Sequence, residues 1–383
     1  MRILFLDQFS EMGGAQCGLI DTVDAVRRRG WDCQAAIPGG GPLAEQLRSR
    51  GVPTTVIPCG PYSSGRKNVT DMFRFGWDVP LQARTVNGLC ERTEFDLLYV
   101  NGPRLLPVAA LVARNHTPVL FHAHSHIGQP AAAKLVGWSI RRAGATVTAC
   151  SNFVAEALRA YVGRDRLHVI PNGVRPLEFR EPRPVRDGTW RIGIVGRISP
   201  EKGHKEFLEA AALLAGIFRK ARFVICGAPL FAQPDFFEEV KRRASGLPVE
   251  FLGWQEDVAP VFAELDLLAV PSSEEGMGRV VAEAFSAGVP VVAFSTGGLP
   301  ELITHRETGF LVPEISFARL AACIADVIAM DTAELRKIAA NARRKWERCY
   351  TVTAYQNRVS AVMESLVPSS QAERETRTLQ TSI

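Results

Sequence analysis

At 383 residues the chain exceeds what one hydrophobic core usually serves, so two domains are expected. An apolar share of 46% beside 22% charged residues fits an ordinary soluble globular protein, and no stretch approaches the roughly 18 uninterrupted apolar residues of a membrane span. The net charge of +5 admits an anionic substrate or a membrane surface, while nothing points to nucleic acid. The eight cysteines show no C-x-x-C pair and no zinc-type spacing, which argues against a disulfide framework and for a reducing compartment. The run Met1–Asp7 is too short for a signal peptide and lacks a small-residue cleavage site, so a cytoplasmic location is expected.

Arg2–Leu6 is a continuous apolar run, the pattern of a strand buried on both faces of a parallel sheet. Gly13-Gly14-Ala15 and a helical pattern to Arg29 follow, with Gly30 as the stop. Strand, glycine turn and helix match the start of a doubly wound domain, where ligands gather at the carboxyl ends of strands. The turn lacks the full G-x-G-x-x-G fingerprint, so a nicotinamide dinucleotide is not implied. Further strands are expected at Cys33–Ile37, Thr54–Ile57, Leu97–Val100, Val119–Phe121, Val147–Ala149 and Val169–Ile170. Residues 60–80 read as irregular: Pro61–Lys67 is a polar loop and Met72–Trp77 is unusually aromatic. The aromatic stretch either packs a helix on the sheet or forms an acceptor- or membrane-touching lip, since aromatics flanked by Arg and Lys suit an interface.

Three of the seven histidines, His122, His124 and His126, fall within five residues directly after a strand. In extended chain they would share one face, yet no nearby carboxylate or Cys completes a zinc tetrahedron. They are either satisfied polar residues of a turn or, by their place at a strand's carboxyl end, include a substrate-facing ring.

Residues 176–189 carry several prolines and charges with no apolar period, and are the expected linker. The strand–helix alternation then restarts, with strands at Trp190–Val195, Phe223–Cys226, Val249–Leu252 and Leu267–Val270. The stretch Pro271–Gly298 reads as loop, amphipathic helix and a second strand near Pro290–Phe294. In it Glu275 and Glu283 lie eight residues apart, with Gly276 and Gly278 where the helix begins. A helix N-terminus offers unpaired N–H groups and the positive end of a dipole, which suits an anion. Carboxylates beside such a site would instead accept hydrogen bonds from the hydroxyls of a sugar or ribose. Taken alone, the same residues also fit a plain turn and a solvated first turn of helix.

Three spaced blocks go further: Gly196-Arg197-x4-Lys202-Gly203, Glu275-Gly-Met-Gly-x4-Glu283, and Ala287-Gly288-x-Pro290 continuing to Gly297-Gly298. They resemble the retaining, nucleotide-sugar-dependent glycosyltransferases of the GT-B fold, family 4. Gly13-Gly14-Ala15, the histidine cluster and Ile170-Pro-Asn-Gly-Val174 fit the same family in the same order, so the resemblance covers roughly residues 1–365. It implies an α/β protein of two Rossmann-like, doubly wound domains facing across a cleft. Residues 1–175 would bind the acceptor, with the helix of about 351–366 returning to them. Residues 176–189 would link them to a donor-binding domain at 190–350, and 367–383 would be a disordered tail.

The resemblance also implies the reaction: a sugar moves from a UDP- or GDP-linked donor to an acceptor hydroxyl, with no cofactor and no metal. Arg197, as a planar fork of donors, and Lys202, as a point charge, would grip the departing diphosphate. Main-chain N–H groups of Gly13, Gly14, Gly276, Met277 and Gly278 would complete the cradle. Glu275 would hold hydroxyls of the transferred sugar and Glu283 those of the ribose, with the base near Gly227, Leu252 and Trp254. His122 or His124 would face the sugar, and the leaving phosphate would take the acceptor's proton. Met277 stands where the family usually has an aromatic residue, and Arg175 where it usually has Asp. Neither departure touches the charged set.

The acceptor expected first is a cell-surface polysaccharide or glycolipid growing on a lipid carrier. Peripheral contact of Arg66–Trp77 with an anionic membrane at its cytoplasmic face is compatible with this reading. A soluble small-molecule acceptor is the alternative. A nucleotide-sugar epimerase and a non-catalytic nucleotide-sugar-binding partner are disfavoured by the Arg197/Lys202 and Glu275/Glu283 set.

Overall fold

The structure, a computed structural model, describes residues 1–60, 69–113, 117–183, 189–229 and 234–367. The polar loop expected at Pro61–Lys67 and the tail expected after Val367 lie outside the described residues. The chain divides into two compact units, Met1–Gly173 with Thr353–Ile383, and Val174–Val352.

The first unit alternates strand and helix from its first residues. Its elements are β1 (Arg2–Asp7), α1 (Gly14–Arg28), β2 (Asp32–Ile37), α2 (Pro42–Ser49), β3 (Thr54–Val56), α3 (Val69–Arg92) and β4 (Leu97–Asn101). These are followed by α4 (Leu106–Val112), β5 (Val119–Ala123), α5 (Pro130–Ala143), β6 (Thr146–Ala149), α6 (Asn152–Glu156) and β7 (Leu167–Val169). The seven strands form one parallel sheet in the order β3-β2-β1-β4-β5-β6-β7. Burial on both faces explains the apolar run inside β1: Ile3, Leu4, Phe5 and Leu6 are all fully buried.

The second unit repeats the plan with β8 (Arg191–Val195), α7 (His204–Ile217), β9 (Arg222–Cys226), α8 (Pro234–Ala244), β10 (Val249–Gly253), α9 (Ala259–Glu264) and β11 (Leu267–Val270). It continues through α10 (Arg279–Ala287), β12 (Val291–Phe294), α11 (Leu299–Leu302), β13 (Phe310–Val312), α12 (Phe317–Ile328) and α13 (Thr332–Cys349). Its six strands are again all parallel, in the order β10-β9-β8-β11-β12-β13. In a doubly wound sheet the crevice opens where the strand order reverses, at the carboxyl ends of the two strands that flank the reversal. Those strands are β1 and β4 in the first unit, and β8 and β11 in the second. The fold thus fixes where to look for chemistry before any side chain is considered.

The last helix, α14 (Val352–Leu366), contributes to the core of the first unit. Tyr355, Val359 and Met363 recur at helical spacing and pack with Leu19, Val23 and Val26 of α1. Burying each such side chain is worth about 1.5–3 kcal/mol. The Tyr355 hydroxyl lies 2.6 Å from Thr22 Oγ1, and Gln356 Nε2 donates to the Asp21 carbonyl at 2.7 Å. Apolar contact and polar bonds together fix the register of α14 on α1.

Two expectations for residues 60–80 are corrected. Residues 69–92 form one long helix, α3, with Pro80 inside it, rather than an irregular stretch. Nor does the aromatic segment pack on the sheet: Phe73 is 77% exposed and Trp77 76%. The buried side of α3 is instead made by Asp78, Gln82, Val86 and Leu89. Asp78 accepts from the Gly60 N–H at 3.1 Å, and Gln82 donates to the Pro58 carbonyl at 2.7 Å. Two polar residues therefore anchor the helix, while Phe73 and Trp77 face away and Phe75 is half-buried. All eight cysteines are free thiols, and no described helix is long and apolar enough to cross a membrane.

Candidate active site

In the second unit the charged residues gather at the carboxyl ends of β8 and β11. After β8 the chain passes Gly196-Arg197, makes a short turn at Pro200–Lys202 and enters α7 through Gly203. After β11 it passes Pro271–Gly278 and enters α10. Gly203 joins the two loops: its φ is +74°, and a Cβ there would stand 1.8 Å from the Pro271 carbonyl oxygen. Only glycine allows that approach. The Ser273 N–H donates to the Glu201 carbonyl at 2.9 Å, a second tie between the same loops.

This packing brings the predicted cations together with one predicted carboxylate, Glu275, and with Glu201. Lys202 Nζ lies 2.5 Å from Glu275 Oε2, which also accepts from Ser272 Oγ at 3.4 Å. Arg197 pairs with Glu201 at 2.5 Å across the loop that leads to α7. All four side chains keep some accessible surface, from 13% for Glu275 to 35% for Glu201. Burial alone would raise the Glu201 carboxyl, but the Arg197 guanidinium, hydrogen bonds and Lys202 bring it below its ordinary value. Two cations and two carboxylates thus balance one another around a partly open surface. Glu201 was not a predicted site residue; it lies in the same loop as Lys202, where no periodicity singles it out.

The α10 N-terminus lies at the end of this loop, and its cap, Gly278 at φ +89°, supplies no side-chain hydrogen bond. No acidic residue occupies the first turn. Met277 is only 3% exposed, so its side chain packs inside and any ligand contact would come from its main chain. Glu283 lies one turn into α10; burial raises its carboxyl, opposed by Arg279. Its charge is close enough to add to the rise of the Cys226 thiol that burial begins, so Glu283 sits near the carboxyl end of β9.

The neighbouring strand ends form a shelf of main chain. A Cβ on Gly227 would meet the Gly196 carbonyl oxygen at 1.8 Å, and the Gly227 N–H donates to the Gly253 carbonyl at 2.8 Å. Bare backbone at the ends of β8, β9 and β10 is bordered by half-buried Leu252 and by Trp254, which is 44% exposed. A flat apolar edge beside an exposed indole suits a stacking ring.

In the first unit a polar chain occupies the carboxyl ends of β1, β4 and β5. Asp7, the last residue of β1, is fully buried and accepts from the Phe9 N–H at 2.8 Å, Gln16 Nε2 at 3.0 Å and Asn101 Nδ2 at 2.5 Å. Burial outweighs these bonds and lifts its carboxyl to about 7. Gln16 stands on the first turn of α1, whose cap Gly13 is extended and makes no side-chain bond. Gly13 and Gly14 therefore begin a helix two residues from the glutamine that grips Asp7. Neither Asp7, Gln16 nor Asn101 was a predicted site residue.

The histidines separate by burial. β5 ends at Ala123, yet His122 and His124 still share a face, as extended chain predicts: their rings pack with centroids 3.9 Å apart and bond to Tyr99 and Asn101, two residues apart on β4. His122 has no accessible surface; its Nδ1 lies 2.5 Å from the Tyr99 hydroxyl, and burial, then the charge of His124, push it well below the usual imidazole range. His124 is half-buried, its ring centroid 3.9 Å from that of His122, and its Nε2 is 2.7 Å from Asn101 Oδ1. His126 stacks on Phe153 at 4.9 Å. Of the two rings only His124 keeps accessible surface. Among the described residues no three His, Cys, Asp or Glu side chains converge to hold a metal ion.

Residues 13–173 match the family model described as glycosyl transferase 4-like domain, and residues 189–330 match glycosyl transferases group 1. The 2-deoxystreptamine glucosyltransferase of Streptomyces kanamyceticus is 31% identical over 242 residues, covering 57% of this chain and 60% of its own length. The D-inositol 3-phosphate glycosyltransferase of Mycolicibacterium smegmatis is 33% identical over 172 residues, covering 43% of this chain and 38% of its own. The matched stretches thus span well short of the full length of either relative. Among solved structures, Anabaena HepE in complex with UDP and glucose superposes with a TM-score of 0.79 at 26% identity, over 95% of this chain and 100% of that one. WaaG, a glycosyltransferase involved in lipopolysaccharide biosynthesis, shares the fold with a TM-score of 0.70 at 15% identity, over 94% and 99% of the two chains. Two parallel α/β units, the two family matches and these neighbours agree: the chain belongs to the group 1 glycosyltransferases, family 4, with the GT-B fold.

Proposed function

We propose that the protein transfers a sugar from a nucleoside diphosphate sugar to an acceptor hydroxyl, with retention of configuration and without a metal ion. The observation that carries this reading is the Arg197, Lys202 and Glu275 group beside the uncapped start of α10, at the strand-order reversal of the second unit. Negative charge grows on a diphosphate as its bond to the sugar breaks. Arg197, Lys202 and the N–H groups that begin α10 are fixed donors aimed at such charge, which is where preorganised electrostatics lower a barrier most. With two side-chain cations in place, a divalent ion is not required for this stabilisation.

In this reading Glu275, held by Lys202 and Ser272, keeps a fixed carboxylate for hydroxyls of the transferred sugar. Glu283 takes the ribose hydroxyls, and Trp254 with Leu252 and Gly227 takes the base. His124 is the sugar-facing residue of the first unit, and His122 supports it from the core. UDP is favoured over GDP because HepE, similar along its full length, was solved with UDP and with UDP-glucose. The test is a screen of UDP- and GDP-linked sugars by thermal shift and then by donor consumption with and without acceptor. Stabilisation and acceptor-dependent consumption are expected for a UDP-sugar. Turnover that needs no acceptor would point to an epimerase or hydrolase instead.

The acceptor has two readings, each with its own support. The names of the relatives, an inositol phosphate and an aminocyclitol transferase, favour a small polyol. Phe73, Trp77 and Leu81, exposed at successive helical turns of α3, favour a lipid-linked glycan at an anionic membrane. Co-sedimentation with anionic vesicles separates them. The membrane reading expects a Phe73→Ser, Phe75→Ser, Trp77→Ser variant to lose most of its vesicle binding, and equal binding by both proteins would end it.

A further inference from the structure

β11 and β12 lie side by side in the second sheet, and the loops that leave their carboxyl ends stay in contact. Thr296 Oγ1 donates to the Ser272 carbonyl at 2.7 Å, and the Gly298 N–H donates to the Glu275 carbonyl at 2.9 Å. A carbonyl only accepts, so the hydroxyl proton of Thr296 is committed to that bond. Between these two donors stands Gly297 at φ +55°, where an added Cβ would overlap the Glu275 carbonyl oxygen. Only glycine holds that backbone without strain and lets the two loops approach so closely. One residue further, fully buried Leu299 packs where a side chain on Gly278, the cap of α10, would stand. Residues 296–299 thus touch the loop after β11 at three successive points, Ser272, Glu275 and Gly278.

We propose that Thr296, with Gly297 and Gly298, is a positioning clamp that holds both ends of the turn 272–275 and so sets where the Glu275 carboxylate meets the transferred sugar. The inference rests on the reading of Glu275 as the carboxylate for the sugar hydroxyls. Lys202 and the Ser272 hydroxyl hold the side chain of Glu275. The clamp holds the main chain from which both Ser272 and Glu275 project, and it does so from the side opposite β8. Ser272 is buried, so its carbonyl without the Thr296 hydroxyl would be left unpaired unless the turn moved. A small displacement of a group that orients the substrate is what turnover registers most steeply.

A double-mutant cycle on the full-length protein tests this, with kcat read from consumption of the UDP- or GDP-linked sugar that the donor screen selects. Thr296→Val keeps the shape of the side chain and removes the donor, and is expected to lower kcat about 10–100-fold with a smaller change in KM. Thr296→Ser keeps the hydroxyl and should restore most of the turnover. In a Glu275→Gln background Thr296→Val should cost little more, because a clamp that acts through Glu275 has nothing left to position. An unchanged kcat in folded Thr296→Val overturns the proposal. So does a loss that multiplies in full with that of Glu275→Gln, the sign of a merely structural role. Should Thr296→Val fail to fold, Thr296→Ala takes its place in the same cycle. Full turnover by Glu275→Gln would instead end the reading of Glu275 itself, so the two failures are distinguishable.

Discussion

Lys202→Ala is expected to lower kcat for donor consumption by about 10²–10³, the scale on which one fixed donor to a developing negative charge acts. Folding should be nearly unaffected. Lys202 and Glu275 keep 25% and 13% of their side-chain surface exposed, and partly exposed pairs contribute about 1 kcal/mol or less. The contrast is the point: the pair is a minor brace for the fold and a main element of the proposed chemistry. A kcat within threefold of the unaltered protein, at an unchanged melting temperature, would remove Lys202 from the diphosphate. Arg197→Ala should behave likewise, with one difference. Glu201, held below its ordinary carboxyl range partly by Arg197, would lose that partner.

The second large effect is structural and concerns how the two loops are held. Gly203→Ala must place an L-residue at φ +74° and a Cβ 1.8 Å from the Pro271 carbonyl oxygen. Left-handed backbone alone costs an alanine about 1–2 kcal/mol. The contact with main chain adds to this, because no flexible side chain can yield. A loss of about 3 kcal/mol or more is expected, together with a fall in turnover, since the strain falls on the loop that carries Glu275. Gly246→Ala is the control. Its φ is +82°, yet nothing lies within 4 Å of its added Cβ, so only the backbone part of the loss should appear. Equal losses in the two variants, read from denaturant midpoints, would show that the packing of the two loops contributes nothing.

Much of the second unit could be read from its sequence because its site residues break local rules. Gly203 and Gly278 stand where helices begin, and charged Lys202 and Glu275 lie in the loops that follow apolar strands. Residues that contradict their surroundings stand out in a single sequence. The first unit was harder for the opposite reason. Asp7 and Asn101 are 94 residues apart, and each looks like an ordinary polar end to an apolar strand. Only the order of strands in the sheet brings them into register. The histidines share one face, as an extended chain predicts, but their depths could not be read: His122 is buried by tertiary contacts with Tyr99 and Tyr355, while His124 keeps some surface. A helix at the aromatic stretch was one of the two readings, but its length was not legible because Pro80 argues against it and its anchoring face is half polar, at Asp78 and Gln82. Tertiary bonds from Gly60 and to Pro58 decide that segment, and no local pattern carries them.

The most direct measurement of the central claim is the anomeric configuration of the product, read by NMR from the anomeric proton after incubation with a UDP-sugar and a polyol or lipid-linked acceptor. The account predicts a new glycosidic bond with the configuration that the sugar had in the donor, formed after chelator treatment as well as before. An inverted product, or no transfer from any UDP- or GDP-linked sugar, would contradict it.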